Sequence, residues 1–318
     1  MRIGVDVTSG DYAPQNVVLG AIDSLKYITS NTKLVLFGCK ETIFSICKDR
    51  SVNPEIFEIV NSSEAIEMGD HPVKAYNTKL NSGIVKGFES LKRGQIDAFA
   101  SCGNTGAMLT GCVTTLKTLP GIIRPCISAE LPIYGDRRLL VLDVGFNTDC
   151  RPDVLYQFGL LGSVYAKQMM GIVNPRVALL NIGEEKDKGN MSVKEAYSLM
   201  SDSIHFNFCG NIESNHLYLD PEADVVVTDG FVGNVLLKQI EGTYSLIKKL
   251  SINNDFLERL NYEYYGGTPV LGVESPVIIA HGASSSLAVT NMILQSERAL
   301  LNKLVDKFKE TISYEQRY

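Results

Sequence analysis

Ala98-Phe99-Ala100-Ser101-Cys102-Gly103-Asn104-Thr105-Gly106-Ala107 changes character twice within ten residues. Ala98–Ser101 is a short uncharged run, the pattern of a strand buried on both faces. Cys102–Thr105 is a loop of small and polar residues, after which apolar spacing resumes and reads as a helix over roughly 105–118. Glycines let a backbone approach a ligand closely, and the start of a helix points free N–H groups outward. Strand, loop and helix in this order suit a phosphate.

The same unit recurs along the chain. Further strands are expected at Ile3–Val7, Leu34–Phe37, Phe57–Val60, Ser128–Pro132, Leu139–Val144, Val177–Ile182, Asp224–Thr228 and Val277–Ala280. Helical spacing fills roughly 15–29, 73–92, 153–170, 191–202, 231–250 and 284–309. The alternation predicts a mostly parallel sheet with helices on both faces, in one domain over 1–318 with a helical excursion at about 243–262. The excursion reads as a helical hairpin for a twin subunit, ahead of a membrane-contacting surface.

In such a sheet ligands bind beyond the carboxyl ends of the strands. Four more strand ends carry loops of the same kind: Asp143–Pro152, Gly183–Asn190, Asp229–Asn234 and His281–Ser286. A single Gly-Asn loop is ordinarily a helix cap; five at one sheet edge describe an anion site. No GxGxxG with its distant acid, no GxxxxGK[ST] loop and no GxSxG elbow is present, which argues against dinucleotide, nucleoside triphosphate and α/β-hydrolase chemistry. His71, His205, His216 and His281 lack metal-ligand spacing, so no metal and no cofactor is expected.

The net charge of -6 argues against nucleic acid as the main partner. Seven cysteines without a CxxC pair, Cys209 among them in an apolar run, read as reduced core thiols of a cytosolic protein. The first ten residues show no secretory leader, and the long uncharged stretch Ala98–Leu116 carries too many Gly, Ser and Thr residues for a membrane span.

The loops in this order resemble the acyl-acyl-carrier-protein:phosphate acyltransferases of bacterial phospholipid synthesis, the PlsX family. The resemblance rests on Gly10–Pro14, Ser101–Ala107, Leu142–Cys150, Gly162–Ala166, Asn174–Val177, Leu180–Asn190, Asp229–Asn234, Tyr265–Gly267 and His281-Gly282. Leu180–Glu185 with Lys188–Asn190, and Asp229–Asn234, are the most specific. The resemblance implies a three-layer α/β/α fold similar to isopropylmalate dehydrogenases and phosphotransacetylases. It also implies a homodimer, cytosolic or peripheral to the inner face of the membrane. The activity implied is transfer of a long-chain acyl group from acyl carrier protein to inorganic phosphate, feeding a glycerol-3-phosphate acyltransferase. Three places depart from the family pattern: Ser9 stands where a second glycine is usual, Asn77–Gly83 replaces a basic strip ending in Asp-Ser-Ser, leaving Lys79 as its cation, and the helical excursion before Tyr265–Gly267, the part the resemblance associates with membrane contact, is shorter than usual.

Attack of phosphate on a thioester requires positioning, worth up to about 7–11 kcal/mol, and oxyanion donors worth about 2.7–4 kcal/mol each. Phosphate or substrate is expected on Gly103, Asn104, Thr105, Gly106, Lys79 and Lys188. Asn147 and Asn234 are candidate carbonyl or oxyanion donors, and Asp143 and Asp229 candidates to orient them or Lys188, each equally readable as a cap. His281 is the candidate for protonating the departing thiol or orienting phosphate. The catalytic set is thus His281, Lys188, Asn234 and Asp229. Arg124, Arg137, Arg138, Arg151 and Lys79 are candidates for a basic dock for the acidic carrier. A phosphotransacetylase acting on acetyl-CoA, a dehydrogenase on the same fold and a catalytically silent scaffold are the rival readings.

Overall fold

The computed structural model describes residues 1–219 and 221–315. They form two compact units, Met1–Thr118 with Tyr262–Val305, and Leu119–Asn261 with the stretch from Asp306. In chain order the first unit opens with β1 (Arg2–Asp6), α1 (Gln15–Ser24), β2 (Lys33–Gly38), α2 (Lys40–Asp49) and β3 (Glu58–Asn61). It continues with α3 (Pro72–Thr78), α4 (Gly83–Lys92), β4 (Ala98–Ser101) and α5 (Thr105–Gly111), which runs into a π-helical turn, Cys112–Leu116. The second unit contributes β5 (Cys126–Pro132), β6 (Arg138–Leu142), α6 (Pro152–Met169), β7 (Arg176–Asn181) and α7 (Met191–Ser201). There follow β8 (Asn207–Glu213), β9 (Val225–Val227), α8 (Gly230–Lys249) and α9 (Asp255–Glu258). The chain then returns to the first unit with β10 (Thr268–Leu271), β11 (Val277–Ile279) and α10 (Ser286–Leu301), and α11 (Leu304–Glu315) closes the described chain.

In the first unit the strands run β3-β2-β1-β4-β11-β10, parallel except for β10 against β11. Residues alternate between the faces of a strand, and both faces here are covered. Ile3, Val5, Leu36 and Ala100 pack with Val17 and Val18 of α1 and with Val289, Met292 and Ile293 of α10. On the other face the Phe99 ring lies 5.3 Å from that of Phe88 in α4. Two-sided burial is why these strands read as continuous apolar runs.

The second unit orders its strands β5-β6-β9-β7-β8, parallel except for β5 against β6. Its most deeply buried stretch includes β6, whose Leu139–Leu142 are at most 1% exposed. Gly162 lets α6 lie close on this sheet, since a Cβ there would sit 2.5 Å from Val225 Cγ1. Among the described residues no helix is long and apolar enough to cross a membrane.

Two strands escape the sequence reading, β8 and β10. The helical pattern at 73–92 is two helices, because Lys79 leaves helical geometry and Ser82 accepts the Val85 N–H to start α4. Cys209 is exposed, not a core thiol, since β8 is an edge strand with a bulge opposite Val177/Ala178; Cys39 is exposed too, and the other five cysteines are buried. The stretch 243–262 holds the end of α8 and all of α9. It packs on the turn after β5, with the Phe256 ring 5.7 Å from Tyr134 and the Arg259 guanidinium donating to the Arg137 carbonyl at 3.0 Å.

Candidate active site

In the first unit the loops leaving β1, β4 and β11 are tied together at their floor. Asp6, fully buried at the end of β1, accepts the N–H and hydroxyl of Thr8 at 2.9 and 2.7 Å and the Ser101 hydroxyl at 2.8 Å. Ser101 in turn accepts the Gly103 N–H at 2.9 Å, and the Asp11 N–H donates to the Gly282 carbonyl at 2.8 Å. Burial pushes the Asp6 carboxyl above its ordinary range, and its hydrogen bonds to Thr8, Ser101 and Ser9 pull partly against that. Sequence reasoning missed Asp6 and Ser101. The signal was present in Ile3-Gly4-Val5-Asp6-Val7, where an acid interrupts a strand otherwise buried throughout.

Above this floor stands the start of α5. Asn104 caps it, accepting the Ala107 N–H at 3.0 Å, while its amide donates to the carbonyls of Glu67, Met68 and Asp70 at 3.1–3.2 Å. Its amide hydrogens are therefore committed to clamping the loop 67–70. The N–H groups of Thr105 and Gly106 meet no acceptor among the described residues, and Thr105 is exposed. Gly106 has a packing reason as well, because a Cβ there would lie 2.5 Å from Pro72 Cγ. Lys79 is engaged, its ammonium bonded to the Ala65 carbonyl at 2.8 Å and to Asp70 at 2.6 Å. His281 is exposed and its Nδ1 accepts the Ala283 N–H at 3.1 Å. The neutral ring therefore carries its proton on Nε2, ready to donate. The Tyr262 ring lies 5.2 Å from it.

In the second unit the loops leaving β6 and β9 meet on a second buried acid. Asp143 Oδ1 accepts the N–H groups of Ile127, Gly145 and Phe146 at 3.0, 3.2 and 3.1 Å. Its Oδ2 accepts the backbone N–H of Asn147 at 2.6 Å and the Asn147 amide at 2.9 Å. Burial pushes this carboxyl up as well, against the pull of its donors. The Asn147 amide also donates to the Pro125 carbonyl at 2.8 Å, which uses its second hydrogen. The Gly230 N–H closes the floor on the Asn147 carbonyl at 2.6 Å. Gly233 must be glycine, because a Cβ would come within 1.9 Å of the Asp143 carbonyl oxygen.

Asp229 caps α8 by accepting the Val232 N–H at 2.8 Å. Asn234 is exposed and donates one amide hydrogen to the Val144 carbonyl at 3.1 Å, keeping the other. Lys188 lies exposed in the loop after β7, its carbonyl held by the Asn181 amide at 3.2 Å and its ammonium without an ion pair among the described residues. The structure thus brings Asp143, Asn147, Asp229 and Asn234 together through one hydrogen-bonded floor. It leaves Thr105, Gly106, Lys188, Asn234 and His281 with open donors.

The arginines expected to form a basic dock are individually engaged. Arg137 and Arg176 both bind Asp224, at 3.0 and 3.1 Å. Arg138 pairs with Glu130, Arg151 with Asp153, and Arg124 donates to the Asp149 carbonyl.

The architecture defines the class first. A phosphotransacetylase from Streptococcus pyogenes matches with a TM-score of 0.67 at 16% identity, over 95% of this chain and 94% of that one. A branched-chain phosphotransacylase from Enterococcus faecalis V583 matches with a TM-score of 0.62 at 16% identity, over 93% and 98%. At such identities the likeness is one of fold. Sequence relatives narrow it: a phosphate acyltransferase from Caldicellulosiruptor saccharolyticus is 40% identical over 336 residues, covering 99% of each chain. One from Dictyoglomus turgidum is 38% identical over 337 residues, covering 96% of this chain and 99% of its own. A family model described as "Fatty acid synthesis protein" matches residues 1–307. The chain belongs to this phosphate acyltransferase family, known as PlsX.

Proposed function

We propose that the chain transfers a long-chain acyl group from the thiol of acyl carrier protein to inorganic phosphate, releasing acyl phosphate for phospholipid synthesis. The observation that carries this reading is kinship along nearly the whole chain with proteins named phosphate acyltransferase. The open donors are those the reaction requires. The N–H groups of Thr105 and Gly106 offer a place for phosphate oxygens, and Lys188 offers a cation. Asn234 keeps one amide hydrogen for a developing oxyanion. His281 offers its Nε2–H as a hydrogen bond, to orient the phosphate or to steady the departing sulfur. An oxygen of hydrogen phosphate attacks the carbonyl, the C–S bond breaks, and the proton the phosphate carried passes to the departing thiolate, leaving acyl phosphate as its dianion. Asp143, Asn147 and Asp229 hold the loops in shape. The chain works as a homodimer, cytoplasmic or peripheral to the membrane, and hands its product to a glycerol-3-phosphate acyltransferase.

The test is phosphate-dependent release of free carrier thiol from palmitoyl-acyl carrier protein, with acetyl-CoA as parallel donor. Release from the long-chain carrier with acyl phosphate formed is expected. Release from acetyl-CoA alone makes the chain a phosphotransacetylase, and release from neither makes it a scaffold.

A further inference from the structure

Ser62 is 2% exposed, yet its hydroxyl has no hydrogen-bond partner among the described residues. The backbone fixes it there, with the Ser62 N–H donating to the Gly38 carbonyl at 3.0 Å at the end of β2. Ser62 lines a cavity of about 200 Å³ in the first unit, beside the carboxyl ends of β1, β2 and β3. Cys39, Thr42 and Ile43, at the start of α2, line it as well. Cys39 stands at the N-cap without a side-chain cap bond, and the Thr42 N–H meets no acceptor among the described residues. Thr8 forms part of the wall and is hydrogen-bonded to Asp6, the acid that also holds Ser101 below the α5 loop.

We propose that this cavity receives the uncharged, amide-bearing pantetheine arm on which the acyl group is carried. The inference rests on the acyl-transfer reading above. A bare alkyl chain fits less well, because it would cover the Ser62 hydroxyl and the Thr42 N–H and leave both unpaired. A phosphate fits less well still. No Lys, Arg or His lines the cavity, Glu64 does, and Glu41 stands in the first turn of α2. A cation finds no use for the two open donors, and one Glu64 oxygen already accepts the Asn81 N–H at 2.8 Å. An amide answers each feature: its carbonyl accepts from Thr42 or Ser62, and its N–H donates to the Ser62 oxygen. Its flanking methylenes lie against Val7 and Ile43. A volume of about 200 Å³ is enough for one amide unit with its neighbouring methylenes.

The chain contains no tryptophan, so Ser63→Trp, at an exposed residue of the cavity lining, installs a single fluorescent reporter. Titration with free pantetheine is expected to change its emission saturably, whereas octanol and inorganic phosphate leave it unchanged. Adding Ser62→Ala is expected to weaken the pantetheine response about tenfold without lowering the melting temperature, since an unpaired buried hydroxyl does not stabilise the empty protein. In the otherwise native chain Ser62→Ala is expected to raise the KM for palmitoyl-acyl carrier protein about tenfold with kcat held. A KM rise with palmitoyl-CoA in parallel supports the shared arm as the ligand. A rise confined to the carrier protein assigns the site to the arm in that setting. Absence of a pantetheine response, an equal response to octanol, or an unchanged KM in Ser62→Ala overturns the proposal. Turnover without pantetheine binding sinks this site and leaves the reaction standing; binding without turnover does the reverse.

Discussion

Replacing Asp143 by Asn changes one atom and should loosen the whole second unit. All five hydrogen-bond partners of the carboxylate are donors: the N–H groups of Ile127, Gly145, Phe146 and Asn147, and the Asn147 amide. An amide NH2 in the Oδ2 position faces both Asn147 donors, and in the Oδ1 position it faces Ile127 and Gly145. Either orientation orphans two donors beneath the surface. At about 1–3 kcal/mol for each buried group left unsatisfied, the loss is about 2–6 kcal/mol. A domain holds only roughly 5–15 kcal/mol in reserve. At roughly 2–4 °C per kcal/mol for a unit of this size, melting should fall by about 4–24 °C. Differential scanning calorimetry reads this directly, with turnover measured well below the new transition. A melting temperature within 2 °C of the parent refutes the hydrogen-bond argument. Lost turnover at unchanged stability would show the carboxylate acting on substrate and not on its own loop.

Lys188→Ala should raise the phosphate KM roughly tenfold or more, the worth of one charge-assisted bond; an unchanged KM removes Lys188 from the site. His281→Ala should lower turnover about tenfold, the worth of one hydrogen bond to the phosphate or the departing sulfur, and wild-type turnover disposes of that role. Gly106→Ala should cost about 1–3 kcal/mol in urea unfolding, because the new methyl drives α5 off Pro72, and equal stability contradicts the contact. Burial pushes the Asp224 carboxyl up, but hydrogen bonds from Arg176 and Arg137 outweigh it and hold the group below the ordinary carboxylate range. A depressed folded value stabilises above the unfolded one, near about 4, and that benefit fades as pH falls through the folded value. Arg176→Ala should therefore be less stable at pH 7, with its deficit closing below about pH 4; a deficit constant with pH rejects the pairing.

The buried strands were legible because both of their faces are covered, so apolar runs such as Leu139–Leu142 stand out. The two missed strands lack that signature. β8 is an edge strand with Asn207, Gly210 and Asn211 in it, and β10 is four residues long with Pro269 inside. The site was legible as residue types at strand ends, since a loop leaving a strand and opening a helix announces itself in Gly, Asn and Asp. What those side chains bond to was not legible. Asn104 clamps carbonyls up to 37 residues earlier and Asn147 reaches back 22 residues to Pro125, distances at which local pattern carries no information. Asn147, a candidate donor by type, has both amide hydrogens committed, whereas Asn234 keeps one.

The first unit is assembled from both ends of its chain, and that sets a schedule for its birth. β4 leaves the ribosome with β1 already available on one side, but its other neighbour, β11, is synthesised about 176 residues after Ser101. At about 5–20 residues per second the open edge of β4 waits roughly 9–35 s. Over the same interval Val17 and Val18 of α1 lack Val289 and Met292, the α10 side chains that bury them in the finished protein. An unpaired strand edge beside uncovered valines is the kind of surface that aggregates or is held by a chaperone. The nascent chain should therefore be most vulnerable while the second unit is being made, and safe only once α10 has emerged.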